Sequence, residues 1–134
     1  MGVRIGAQQQ SEAIQALQDQ VAALTNAGPA FSDPISKFVL AQGPDSGHVE
    51  IAFRAAAVAG ILQIEIHRSL TRDFGTATHL TSFNANAIAP EQDVNYSDIN
   101  TALVGKTVYY WLLIDPINTN NQPIRHGPQL ITVT

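Results

Sequence analysis

Apolar and polar residues alternate in short runs along most of the chain after residue 34. Val49, Ile51 and Phe53 are separated by polar or small residues, and a similar alternation continues over residues 62–67. A period of two places successive side chains on opposite faces of a strand. The alternating or β-branched runs, separated by turn-forming residues, predict about seven strands, at residues 35–41, 48–54, 62–67, 78–83, 94–101, 108–114 and 130–134.

The strongest strand signal is the run from Val108 to Ile114. It contains only β-branched, aromatic and long aliphatic residues, and it is bounded by Gly105 and by Asp115-Pro116. A run that is apolar on both faces predicts a central strand covered on both sides, and its short length disfavours a buried helix. The fold class predicted for residues 28–134 is therefore a mainly β, antiparallel β-sandwich.

A different period occupies residues 11–25. Ile14, Leu17, Val21 and Leu24 recur at spacings of three and four, as in the a and d positions of a coiled coil, and Ser11 suits the N-cap. We predict one short N-terminal α-helix, which with a Gln-rich arm makes residues 1–27 an oligomerisation or docking segment. The four apolar residues are its predicted oligomer interface, in a homotrimer or a dimer. A helix lying on its own domain is the alternative.

Composition excludes several classes of function. Among 134 residues, 45% are apolar and the net charge is −4, with seven basic residues that form no run. The lack of a basic patch disfavours nucleic acid as a partner. No apolar stretch approaches the roughly 20 residues that span a bilayer, and no signal peptide is visible. We therefore expect synthesis in a cytoplasm, no membrane and no nucleic acid.

Candidate chemistry is sparse. With no cysteine and four dispersed histidines, the sequence predicts no metal site and no cofactor. Outward His48 and His67 approach one another if their strands pair. Glu50 and Glu65 also face outward on strands expected to be neighbours, which is the carboxylate pairing that glycosidases use, although solvated surface residues are the simpler interpretation. No nucleophile motif is present, so we predict that the protein is not an enzyme.

Aromatic residues provide the remaining candidate site. Tyr96, Tyr110 and Trp111 are candidates for contact with a glycan or a protein partner, because an exposed ring can stack on a sugar. A place in the core is the competing interpretation for Trp111.

Four segments resemble a fibronectin type III-like module of the kind found in phage and bacterial surface proteins. They are residues 62–70, 94–99, 103–111 and 129–134. The aromatic residues after Gly105 are shifted by one position from that pattern, which leaves open whether Tyr109 forms the family's tyrosine corner. The resemblance, together with the helix, implies a homo-oligomeric phage capsid decoration, cement or fibre protein. Such a protein assembles on the virion and binds other virion proteins. A carbohydrate-binding adhesive module is the alternative.

Overall fold

The computed structural model describes residues 31–134. These residues contain seven strands in two antiparallel sheets, as the alternation predicts. The strands are β1 (Ile35–Gln42), β2 (His48–Ala55), β3 (Ile61–Ser69), β4 (Thr78–Asn84), β5 (Asp93–Ile99), β6 (Thr107–Pro116) and β7 (Ile124–Thr132). The predicted helix and its interface residues Ile14, Leu17, Val21 and Leu24 lie outside the described residues, so they stay predictions, as does the boundary at residue 28.

The strand order defines the sandwich. One sheet has three strands in the order β1-β2-β5, and the other has four in the order β4-β3-β6-β7. All neighbouring strands are antiparallel. This arrangement confirms the predicted β-sandwich and is consistent with an immunoglobulin-like or fibronectin type III-like module. No helix within residues 31–134 is long and apolar enough to cross a membrane.

The inward side chains of both sheets form one core. Val49, Ile51 and Phe53 of β2 are almost fully buried, and they face inward residues of β3 and β6 such as Ile64 and Leu112. Because the side-chain period of a strand is two, the same alternation sends Glu50, Glu65 and His67 outward, as predicted. The core therefore fixes which side chains each sheet presents on its outer face.

Strands β2 and β3, which the sequence predicts to be neighbours, belong to different sheets. β2 belongs to the three-stranded sheet and β3 to the four-stranded sheet, so Glu50 is not paired with Glu65 and His48 is not paired with His67. The sequence interpretation assumed that consecutive strands pair, whereas here the chain crosses from one sheet to the other between β2 and β3. His67 instead lies opposite His79 on β4.

β6 is the central strand that the apolar run predicts. It lies between β3 and β7, and its outer face carries Tyr109, Trp111 and Leu113. Trp111 is only 3% exposed although it points away from the core. The loop between β3 and β4 (residues 70–77, the β3–β4 loop) causes this burial, because it places Phe74 edge-on against the indole, with 5.6 Å between the ring centroids.

Hydroxyl groups hold the β3–β4 loop in this position. Ser69 Oγ lies 2.7 Å from Thr76 Oγ1, and Thr71 Oγ1 lies 2.9 Å from the same atom. Asp73 accepts a hydrogen bond from the Gly75 backbone N–H and so caps the short 3₁₀ turn Phe74–Thr76. These short-range hydrogen bonds compete well with solvent because each joins residues that are close in sequence.

Candidate functional site

The outer face of the four-stranded sheet brings the chemically distinctive residues of the described chain together. Its first part is a carboxyl–imidazole cluster of Glu65, His67, His79 and Asp115. His67 lies opposite His79 across β3 and β4, and Glu65 is two residues before His67 on the same face. Asp115 of β6 lies opposite Gln63, which is two residues before Glu65 on β3. Three strands thus supply four titratable groups.

Asp115 favours the protonated form of Glu65. A hydrogen bond to Asp115, followed by burial and by the negative charge of Asp115, raises the pKa of Glu65 to about 7. Gln63 Nε2 donates a hydrogen bond of 2.9 Å to Asp115 Oδ2, which holds the second carboxylate in place. Like-charged neighbours disfavour double ionisation, so the protonated Glu65 donates to Asp115 at mildly acidic pH.

The imidazoles approach the other side of Glu65. Glu65 Oε1 lies 3.4 Å from His79 Nε2 and 3.6 Å from His67 Nε2. Burial, followed by the proximity of His79, lowers the pKa of His67, and its buried Nε2 has no hydrogen-bond partner within residues 31–134. No three histidine, aspartate or glutamate side chains in this part of the chain are arranged to hold a metal ion.

The second part of the face is an aromatic strip formed by Phe74, Trp111 and Tyr109. The Tyr109 and Trp111 rings are stacked with centroids 6.4 Å apart, and the Phe74 ring packs against Trp111 at nearly a right angle. Arg125 lies over the Phe74 ring with its guanidinium carbon 4.8 Å from the centroid, and Arg72 lies over Tyr109 at 5.7 Å. The strip therefore has an arginine at each end.

The arginines at the ends of the strip are accessible. Arg72 and Arg125 are exposed, and neither forms an ion pair with another residue between 31 and 134. Leu130, opposite Tyr109 on β7, is 50% exposed. Tyr, Trp and Arg side chains are enriched among the residues that carry most of the binding energy at protein interfaces, and Leu130 adds an exposed apolar side chain beside them.

The predicted aromatic contact residues occupy different environments. Tyr110 is fully buried and points between the sheets, where its hydroxyl donates a 2.6 Å hydrogen bond to Asp98. Trp111 lies in the strip but is covered, so it presents no free ring face. Tyr96 is half-buried against Phe83 at the edge of the sandwich. The structure thus unites Trp111 with Tyr109, its neighbour on the same face of β6, and with three residues that the sequence does not single out, namely Phe74, Arg72 and Arg125.

The signals for the missed residues are weak in the sequence. Phe74 lies in a polar stretch just after Arg68 and Arg72, and Arg125 lies between the turn-rich residues 118–123 and the last predicted strand. His79 and Asp115 become neighbours of Glu65 only through the pairing of β3 with β4 and β6. The pairing of strands from distant parts of the chain is a tertiary property that local alternation does not encode.

Comparison with known proteins gives a weak structural likeness. No family model matches the chain, and no curated protein matches it. A solved structure of a pectate lyase from Pectobacterium carotovorum is similar, with 13% identity and a TM-score of 0.49 over 69% of this chain. The similar region is 25% of the lyase chain. At this identity and TM-score the lyase's activity does not carry over to residues 31–134.

The prediction of a phage virion structural protein is wrong on this comparison. The solved structure that resembles the chain is a pectate lyase and not a decoration, cement or fibre protein. No finding supports a phage origin, a coiled coil or an oligomeric state. The prediction extended a resemblance in four short segments to a function, whereas a β-sandwich serves many unrelated functions.

Proposed function

We propose that residues 31–134 form a non-enzymatic binding module that holds a macromolecular partner against the outer face of the four-stranded sheet. The observation that carries the proposal is the aromatic strip with its two exposed arginines and Leu130. The rings hold the two guanidinium groups in place, so a partner contacts side chains whose ordering costs little further conformational entropy. Guanidinium groups add directional hydrogen bonds at the edge of that area.

The outer face of the three-stranded sheet lacks these features. Its cations are paired within the chain, since Arg54 and Lys37 both contact Asp93, at 2.8 and 3.5 Å. Ser97 donates a 2.6 Å hydrogen bond to Glu50 on the same face. A partner that bound there would have to replace contacts already made, which favours the four-stranded sheet as the binding face.

The geometry of the carboxyl–imidazole cluster supports a role without catalysis. Ser82 Oγ lies 2.7 Å from His79 Nε2, and Glu65 Oε1 lies 3.4 Å from the same nitrogen. In a catalytic triad the hydroxyl and the carboxylate contact opposite nitrogens of the imidazole, so that the ring can accept one proton while it is oriented by the other bond. Here both groups approach one nitrogen, and that arrangement does not activate Ser82.

The carboxyl pair also differs from a glycosidase pair. Glu65 and Asp115 are directly hydrogen-bonded, whereas the two carboxyl groups of glycosidases are about 5 Å apart or more, with the sugar between them. A pair in direct hydrogen-bond contact leaves no space between its carboxyl groups for a sugar. These contacts support a structural role for the cluster, which lies on the binding face beside the aromatic strip.

Site-specific photocrosslinking tests which face binds. A photoreactive amino acid is placed in the full chain at Leu130, on the four-stranded sheet, or at Val39, on the three-stranded sheet. The two side chains are a matched pair, being 50% and 46% exposed. In an extract of the source cells, we expect a discrete crosslinked product from position 130 and only background from position 39.

Circular dichroism of each variant shows whether the sandwich is intact. Equal labelling from the two positions, or a discrete product from position 39 alone, would contradict the assignment of the binding face. The predicted self-association through residues 1–27 is a separate prediction, and removal of those residues from the same variants tests it by a change in product mass.

A further inference from the structure

The distribution of unpaired positive charge indicates the class of partner. Within residues 31–134, Lys37, Arg54 and Arg68 are paired with aspartates, whereas Arg72, Arg125 and Lys106 form no ion pair. We propose that the outer face of the four-stranded sheet binds an acidic protein segment whose carboxylates are held by Arg72 and Arg125. This inference rests on the proposed function and names the partner's chemistry.

The aromatic strip orients both guanidinium groups. Arg125 lies over Phe74, and Arg72 lies over Tyr109, at the distances of cation–π contacts. Stacking on a ring occupies the face of a guanidinium and leaves the N–H groups at its edge free to donate. A carboxylate that approaches in the guanidinium plane can accept two parallel hydrogen bonds. Because the rings already hold the arginine side chains in place, binding requires less loss of side-chain conformational entropy.

Lys106 extends the positive region at the end of the strip beyond Tyr109. It lines a cleft of about 400 Å³ together with Thr71 and Thr76, the residues that hold the β3–β4 loop. Thr71 precedes Arg72, so the cleft is next to the Tyr109 end of the strip, over which Arg72 lies. Its hydroxyl groups and ammonium group suit the carboxylate and backbone carbonyl oxygens of an extended peptide.

Glu65 and Asp115 lie on the same face, but their repulsion of an acidic partner is weaker than that of two full negative charges. Glu65 and Asp115 hydrogen-bond to each other, and the raised pKa of Glu65 means that near neutral pH the pair carries less than two full charges. Both lie on the side of Trp111 away from Tyr109 and Arg72. The end of the strip that carries Arg72 and Lys106 therefore remains positive.

A protein segment fits the face better than a glycan does. Sugar binding by aromatic residues needs a free ring face, but Arg72 covers Tyr109, Arg125 covers Phe74, and Trp111 is 3% exposed. Leu130 and Leu70, which are 50% and 51% exposed, offer apolar contacts instead. Apolar side chains between carboxylates complement this surface, whereas a polyhydroxylated chain does not.

Peptide titration tests the inference on the full chain. The probe is a fluorescein-labelled peptide of four Glu-Glu-Leu repeats, and its control has glutamine in place of each glutamate. By fluorescence anisotropy we expect the acidic peptide to bind about tenfold or more tightly than the control at low salt, and to weaken as salt screens the charges. The double variant R72Q/R125Q should lose about tenfold in affinity, which is the effect of about 1.4 kcal/mol of binding free energy.

The matched control is K37Q/R54Q, which removes two positive charges from the other sheet and should change affinity by less than about twofold. Equal binding of the two peptides, or equal losses in the two double variants, would overturn the inference. Tighter binding of a heparin hexasaccharide through the same arginines would replace the protein segment with an acidic glycan, and would overturn it as well. If crosslinking at Leu130 succeeds while the acidic peptide fails, the binding face stands and only its partner class is wrong.

Discussion

Replacement of Asp98 by alanine should lower the free energy of unfolding by about 3–5 kcal/mol, the cost of leaving a buried charge without its partner. Asp98 is 5% exposed and accepts two hydrogen bonds of 2.8 Å from Arg68 Nη1 and one of 2.6 Å from the Tyr110 hydroxyl. Burial, followed by the hydrogen bond to Asp98 and the negative charge of Asp98, raises the pKa of Tyr110, so the phenol remains a donor across the usual pH range. Alanine would leave both the guanidinium and the phenol without an acceptor.

Urea denaturation measures this effect. Because single domains have only about 5–15 kcal/mol of stability, the D98A variant should unfold at a clearly lower urea concentration or be largely unfolded. Y110F tests the same network more gently, since Asp98 keeps Arg68, and we expect a loss of about 1–2 kcal/mol. Asp93, an exposed partner of Arg54 and Lys37, is the control, and D93A should change stability little. A loss in D98A no larger than that in D93A would contradict the role assigned to the network.

Replacement of Glu65 by glutamine should stabilise the protein at pH 8 by about 1–2 kcal/mol, a value reduced from the full pKa shift because the group is partly solvated. The pKa of Glu65 rises from 4.5 to about 7 on folding, so the folded state holds this proton more tightly than the unfolded state. The resulting stabilisation is complete below pH 4.5 and is lost as pH rises through 7. The glutamine amide donates to Asp115 at every pH and removes that loss.

Thermal denaturation of both proteins between pH 5 and pH 8 measures the difference. The gain in E65Q should shrink several-fold at pH 5, where Glu65 is protonated in the folded protein. The lowered pKa of His67 reduces the stability of the folded state as pH falls below 6.5. Because this loss occurs in both proteins, it largely cancels in the difference between them. E50Q is the control because Ser97, and not a second carboxylate, contacts Glu50. A gain in E65Q that is independent of pH would contradict the raised pKa of Glu65.

Local alternation was sufficient to predict most of the fold. The inward positions Val49, Ile51 and Phe53 define β2, and the apolar run of β6 identifies the central strand. The last strand was predicted only from residue 130, whereas β7 begins at Ile124. Gly127 and Pro128 interrupt its pattern, and a proline within a strand normally argues against one, although an edge strand such as β7 tolerates it.

The candidate site was less predictable because it depends on which strands pair. Outward positions of Glu65 and His67 follow from alternation, but their contacts with Asp115 and His79 follow from the register of β3 with β6 and β4. Phe74 was assigned to a connecting loop, since its neighbours are polar. Its packing on Trp111 depends on the hydroxyl groups of Ser69, Thr71 and Thr76, a three-dimensional arrangement that no periodicity reveals.

The burial of Trp111 beneath Phe74 has a consequence for spectroscopy. This is the only tryptophan in the chain, and a loop on the outer surface, rather than the packed interior, shields it from water. Its emission spectrum will therefore report detachment of residues 70–77 before it reports separation of the two sheets. The transition followed by indole fluorescence should have a lower midpoint temperature than the transition followed by far-ultraviolet circular dichroism. An optical signal commonly used for global unfolding would here measure a local opening.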